Sequence, residues 1–177
     1  IGLTDCRQSL FERLLKQYRH DPSVTYLLTK QGRMHQAIAA FPNRFFYQAR
    51  LEEVPLPHQQ RPLPTMPNGL NGQQQLLATR RVAFVEVPLP EESPSDKVNA
   101  TEAEMIASTV VEIYRKDPTH FDPTRTVGVI VPYRNQIATI RRFLDSYALP
   151  PLRQITIDTV ERYQGSQRDY ILYGFTI

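Results

Sequence analysis

The sequence of 177 residues has no tryptophan and a single cysteine, Cys6, which excludes an internal disulfide. No apolar run approaches the roughly 18 residues of a membrane-spanning helix, and no basic stretch leads into an apolar block as a signal peptide would. The expectation is an intracellular protein, cytoplasmic or in the nucleoid or nucleus, with no membrane partner. The four histidines, His20, His35, His58 and His120, lack the short spacing of zinc sites, so no structural metal is expected. Also absent is any G-x-x-x-x-G-K-[ST] stretch, so the chain has no phosphate-cradling loop of its own. No nucleophile stands beside a base, which argues against a self-contained α/β enzyme.

What is present fits one globular domain over 1–177: 41% of residues are hydrophobic and 22% charged. Basic residues exceed acidic by 21 to 18 and only four are lysine, so the cations are mostly planar guanidinium forks suited to phosphate. A net charge of +3 permits nucleic acid without demanding it. The chain opens on Ile1 and closes on Ile177 in a strand-like run, and both ends read as cut from something longer.

Hydrophobic spacing sets the expected elements. Leu10, Phe11, Leu14, Leu15 and Tyr18 form one face of a helix over 7–19, with Arg7, Arg13 and Lys16 off it. Residues 24–28 read as a buried strand, 30–33 as a loop, and Met34, Ile38 and Phe41 as a short helix ended by Pro42. Eight of the 15 prolines fall within 54–95, together with Asn68-Gly69 and Asn71-Gly72. Residues 54–97 therefore read as an irregular, proline-rich insertion holding one strand, 82–87. Asn99 with Glu102 resembles a capping box, and Ala103, Ile106, Val110 and Ile113 mark a helix to about Arg115. The β-branched run 126–131 reads as a strand buried on both faces, followed by a helix carrying Ile137, Ile140, Leu144 and Tyr147. Strand candidates at 155–157 and 170–176 complete an alternating order, which predicts a mainly parallel sheet covered by helices.

In such sheets, ligands bind at the carboxyl ends of the strands. That points to the loops after residues 28, 131 and 157, which supply Arg33, then Tyr133 and Arg134, then Thr159, Gln164 and Gly165. The pairs Arg80-Arg81 and Arg141-Arg142 read either as an extended basic surface or as solvated faces.

Four ordered segments then bring a family into view. Gln31-Gly32-Arg33-Met34-His35, followed by Phe41-Pro42-Asn43 and Phe46-Tyr47, resembles the Q-Y-R-M-H…F-P-N…F-Y segment of superfamily 1 helicases. Asn99 with Glu102-Ala103 resembles N-x-x-E-A; residues 128–136 resemble G-V-I-T-P-Y-x-x-Q; residues 159–169 resemble T-V-D-x-F-Q-G-R-E-K-D. The similarity covers roughly 10–51 and 98–177 and is closest to the nonsense-mediated-decay branch.

The resemblance implies the second RecA-like motor domain of that family, a three-layer α/β/α fold with a mainly parallel sheet, lacking the upstream phosphate loop and the final arginine motif. It implies an arginine finger at Arg33, nucleotide contacts from Gln31, Gly32, Gln164, Gly165 and Gln167, and a single-strand track from Pro132, Tyr133, Arg134, Gln136 and Thr159. ATP and Mg2+ would be held mainly by the first RecA-like domain of the same polypeptide, with none expected on this chain alone. Single-stranded DNA or RNA would be the other partner. Three positions depart from the pattern: Gly32 replaces an aromatic that stacks on the base, Val131 replaces a threonine, and Gln167 replaces a glutamate. These departures support an alternative reading, a degenerate helicase-like binding scaffold without catalysis.

Overall fold

A computed structural model describes residues 8–63, 69–88 and 97–176. Readings that involve Ile1, Cys6, Arg7, Asn68 or Ile177 lie outside the described residues. The chain divides into two compact units, Ile1–Arg61 and Pro62–Ile177. The boundary falls inside 54–97, the stretch read as an insertion.

In the first unit, α1 spans Leu10–Tyr18 and is capped by Ser9, whose hydroxyl accepts from the Glu12 N–H while the Glu12 carboxylate accepts from the Ser9 N–H. Its apolar residues Leu10, Phe11, Leu14 and Leu15 are exposed. Residues 24–28 correct the expected buried strand: Val24, Tyr26 and Leu28 are exposed and unpaired in any sheet. Pairing begins where a loop was expected, with β1 (Lys30–Gln31) parallel to β2 (Glu52–Glu53). Helix α2 (Gln36–Phe46) starts at His35, whose ring accepts from the Ala37 N–H, and runs through Pro42.

That continuation has a local cause. The Asn43 side chain accepts from the Leu51 N–H at 2.7 Å and donates to the Leu51 carbonyl at 3.0 Å, and the rings of Phe41 and Phe45 lie 4.7 Å apart. These contacts hold the turn after Pro42 although the proline supplies no N–H. Only Ala39 and Gln59 are buried among the described residues of this unit, so hydrogen bonds rather than an apolar core define it.

The second unit holds α3 (Gly72–Thr79), α4 (Ala100–Lys116), β3 (Val127–Ile130), α5 (Arg134–Ser146), a 3-10 turn (Pro150–Gln154), β4 (Thr156–Asp158), α6 (Val160–Tyr163) and β5 (Tyr170–Tyr173). Helix α3 corrects the irregular reading: Asn71 and Gln74 form a reciprocal capping box, and the following Gln-Gln-Leu-Leu-Ala run has good helix formers. The strand expected at 82–87 is absent, and Val82, Phe84 and Val85 are exposed.

Strands β4, β3 and β5 form a parallel sheet with β3 central, in the register Ile130↔Asp158 and Ile130↔Tyr173. The expected α/β class with parallel strands holds, the strands being shared between two sheets. Val127, Val129 and Val131 are fully buried with Val110 and Val111 of α4 and Ile140 of α5. This β-branched strand against two amphipathic helices is the apolar core of the unit. Gly128 is required by proximity: a Cβ there would overlap the Tyr163 phenol oxygen and stand 2.6 Å from its Cζ.

Candidate functional site

The residues read as functional fall into two groups, Gln31, Gly32 and Arg33 in the first unit and the remainder in the second. Each is built by its own local chemistry.

In the first unit the Gln31 side chain organises the loop after β1. Its Oε1 accepts from the N–H groups of Arg33 (2.9 Å) and Met34 (2.7 Å), and its Nε2 donates to the Met34 carbonyl at 2.7 Å. Buried Gln59 donates to the carbonyls of Gln31 (3.1 Å) and Met34 (3.0 Å), and His58 Nε2 lies 2.9 Å from the Gly32 carbonyl oxygen. The loop backbone is therefore fixed, while the Arg33 side chain is exposed with no hydrogen-bond or ion-pair partner among the described residues. Lys30, Gln31, Gly32, Arg33, Met34, Pro42, Tyr47 and Leu51 line a cavity of about 400 Å³.

In the second unit the carboxyl ends of all three strands meet. The Val131 N–H donates to the Asp158 carbonyl and the Gly174 N–H to the Ile130 carbonyl, extending the ladder to the loops that follow. Pro132, Tyr133 and Arg134 are exposed there, and Thr159 is half-buried. Tyr133 caps α5 without a side-chain hydrogen bond, so the first-turn N–H groups have no side-chain partner at that cap. Glu161 is held below the usual carboxylate range by its own N–H and then by the Thr159 hydroxyl.

Gln136 is corrected. It was expected on the single-strand track, but it is 0% exposed. Its Oε1 accepts from the Asn99 N–H, and its Nε2 donates to the Asn99 carbonyl and to Glu102 Oε2. A buried amide with both ends paired is a structural clamp. Arg141 likewise turns inward, donating to the carbonyls of Arg153 and Ile155, and burial pulls its pKa down against the opposing effect of Asp145. Arg80 is exposed.

Gln164 and Gly165 occupy the centre of a type II turn. Gln164 has φ −55 and ψ 131, Gly165 has φ +87, and the Ser166 N–H donates to the Tyr163 carbonyl at 3.0 Å. The glycine is needed because the second central position of this turn is left-handed. Gln164, Gly165 and Gln167 are exposed, and Arg168 donates to the Gln167 carbonyl at 2.7 Å and to Thr156 Oγ1 at 3.0 Å. The turn is rooted on buried Tyr163, whose ring lies under the Arg168 guanidinium at 5.5 Å. Tyr47, Tyr163 and Arg168 lie within the family-like segments but received no role from the sequence, and Gln59 lies outside them. The glycine at 128 within a β-branched run was the one hint of a close neighbour.

Among the described residues, no three His, Cys, Asp or Glu side chains gather to hold a metal, and no helix is long and apolar enough to cross a membrane.

Comparison with known proteins decides the family. The AAA domain family AAA_12 matches residues 6–176. The chain belongs to this family. Helicase sen1 of Schizosaccharomyces pombe is 31% identical over 168 residues, covering 94% of this chain and 9% of the relative. A probable helicase of Dictyostelium discoideum is 30% identical over 170 residues, covering 94% of this chain and 16% of the relative. The Regulator of nonsense transcripts 1 homolog of Neurospora crassa is 25% identical over 184 residues, covering 93% of this chain and 14% of the relative. The AAA domain described here is thus a superfamily 1 helicase domain similar to the nonsense-mediated-decay helicases, as the four segments implied. It spans 9 to 16% of the length of these relatives.

Proposed function

We propose that this helicase domain is the second motor domain of an ATP-driven helicase or translocase acting on single-stranded DNA or RNA. One observation carries the reading: the backbone beside Arg33 is pinned by Gln31, while the guanidinium is exposed and unpaired among the described residues. A cation held ready on a fixed loop suits a role completed by a second domain.

The residues fit ATP at its phosphate end, since Lys30 and Arg33 border a cavity that also has apolar walls. ATP, when bound with Mg2+ mainly on a first RecA-like domain, supplies the phosphoanhydride whose hydrolysis drives opening and closing. Arg33 reaches across to the terminal phosphate and stabilises the charge that grows on its oxygens during transfer. In the second unit, the turn at Gln164 and Gly165, with Gln167 beside it, is the nucleotide-contacting element. Pro132 and Tyr133 receive a single strand, with the Tyr133 ring against a base and Arg134, Thr159 and the N–H groups of Arg134 and Asn135 at the start of α5 on phosphates.

The burial of Gln136 favours a second reading in one respect, because one of five expected track residues is unavailable. That reading is a helicase-like scaffold that binds strands without turnover. ATP hydrolysis by the full-length polypeptide separates the two. The motor reading requires strand-stimulated hydrolysis that Arg33→Ala abolishes, and strand binding without hydrolysis supports the scaffold.

A further inference from the structure

The first unit answers a question that Gly32 raises. We infer that Tyr47 supplies the flat aromatic surface on which the nucleotide base rests, and that this side of the site holds the base by packing rather than by reading its edge. The inference rests on the proposed reading of the Arg33 loop as a nucleotide site.

The cavity beside Arg33, about 400 Å³, lies within the usual range of small-molecule pockets. Its cations, Lys30 and Arg33, suit phosphate, and its apolar walls are Met34, Pro42, Leu51 and Tyr47. Tyr47 is the one aromatic side chain among the lining residues. Glycine cannot stack, and the space beside it is already taken: Leu56 Cδ1 stands 3.2 Å from where a Cβ on residue 32 would sit.

Tyr47 is placed by a built device rather than by chance exposure. It caps α2, with its N–H donating to the Asn43 carbonyl at 3.3 Å, and the Ala49 N–H donates to the same oxygen at 2.9 Å. Gln48 and Ala49 are both left-handed, with φ 54 and 58, a conformation that non-glycine residues adopt at an energetic cost. The reversal returns Leu51 to the Asn43 side chain, so Tyr47 and Leu51 both line the cavity. Backbone strain at two consecutive residues is sustained where their geometry is needed.

The amides that might read a base edge are engaged. Gln31 has both ends of its side chain on its own loop, and Gln59 spends its nitrogen on the carbonyls of Gln31 and Met34. What remains for a base is the Tyr47 ring and aliphatic packing.

The test is steady-state ATP hydrolysis by the full-length polypeptide at saturating single strand, comparing Tyr47→Ala, Tyr47→Leu, Tyr47→Phe and Arg33→Ala. The expected result is a rise in KM of about tenfold for Tyr47→Ala and Tyr47→Leu, with Tyr47→Phe restoring it and Arg33→Ala acting on kcat instead. If Tyr47→Ala fails to fold, Tyr47→Leu carries the same comparison. An unchanged KM in the Tyr47 variants, with Arg33→Ala still slowing turnover, overturns the base role alone. Turnover unaffected by Arg33→Ala removes the nucleotide reading and this inference with it.

Discussion

Gln136 and Asn99 are joined in both directions: the Asn99 N–H donates to Gln136 Oε1 at 3.0 Å, and Gln136 Nε2 donates to the Asn99 carbonyl at 2.9 Å. This pair ties the first turn of α5 to the cap of α4. It is extended by Glu102, whose carboxylate accepts from Gln136 Nε2, from the N–H groups of Phe175 and Thr176, and from the Thr176 hydroxyl. Glu102 therefore serves the end of β5 rather than closing a capping box on Asn99. The segments that resemble helicase motifs at 99–103 and 128–136 thus meet in one buried polar network.

Gln136→Leu removes all three of its hydrogen bonds to Asn99 and Glu102, while the Asn99 carbonyl keeps the Ala103 N–H and Glu102 Oε2 keeps the Thr176 hydroxyl. The expected loss is about 1 to 3 kcal/mol, the cost of one buried polar group deprived of its partner. Urea denaturation checks it against Asn135→Ala, an exposed neighbour expected to change stability by less than about 0.5 kcal/mol.

Tyr163→Phe works in the opposite sense. The Tyr163 hydroxyl is buried without a hydrogen-bond partner among the described residues, so its removal is expected to raise stability by about 1 kcal/mol. Burial pushes the Tyr163 phenol above its ordinary value of 10.0, against the opposing effect of Arg168. Below that pH the phenol is neutral in both folded and unfolded chains. Above it the unfolded chain loses the proton first, so stability falls as pH rises. Thermal unfolding across that range is expected to show a smaller alkaline loss in Tyr163→Phe than in the parent.

Two glycines separate conformation from space. Gly165 has φ +87 and nothing within 4 Å of an added Cβ, so Gly165→Ala is expected to cost about 1 to 2 kcal/mol from the left-handed backbone, and Gly165→Asn less. Gly128→Ala must displace Tyr163, and its loss is expected to exceed that of Gly165→Ala. Denaturation midpoints of the three variants give the ranking.

The parts of the fold legible in the sequence are those where packing and periodicity agree. Residues 126–131 are β-branched because the strand is covered on both faces, and α4 shows its cap at Asn99 and its face at Ile106, Val110 and Ile113. The misreadings have physical causes too. Residues 24–28 and 82–87 have strand composition, but composition does not supply a neighbour to pair with. Pro42 reads as a stop, yet Asn43 clasps Leu51 eight residues on and holds the next turn in place. The box at Asn71 and Gln74 was hidden by reading Asn-Gly only as a turn. Gln136 looked like a strand contact because its burial depends on a backbone 37 residues away.

Tyr133 and Arg134 are expected to separate stacking from charge. Arg134→Ala lowers strand affinity and reduces the salt dependence by about one ion, whereas Tyr133→Ala, losing a ring that is 38% exposed, lowers affinity with the slope kept. Fluorescence anisotropy with labelled single strands at several salt concentrations measures both.

The central claim stands or falls on Arg33 in the full-length polypeptide. Single-turnover ATP hydrolysis with saturating single strand is expected to slow by about 10³-fold or more in Arg33→Ala, because a finger of this kind contributes about 10³ to 10⁵ in rate. Strand affinity measured on the same samples stays at the parent value. A hydrolysis rate equal to the parent's would contradict the account.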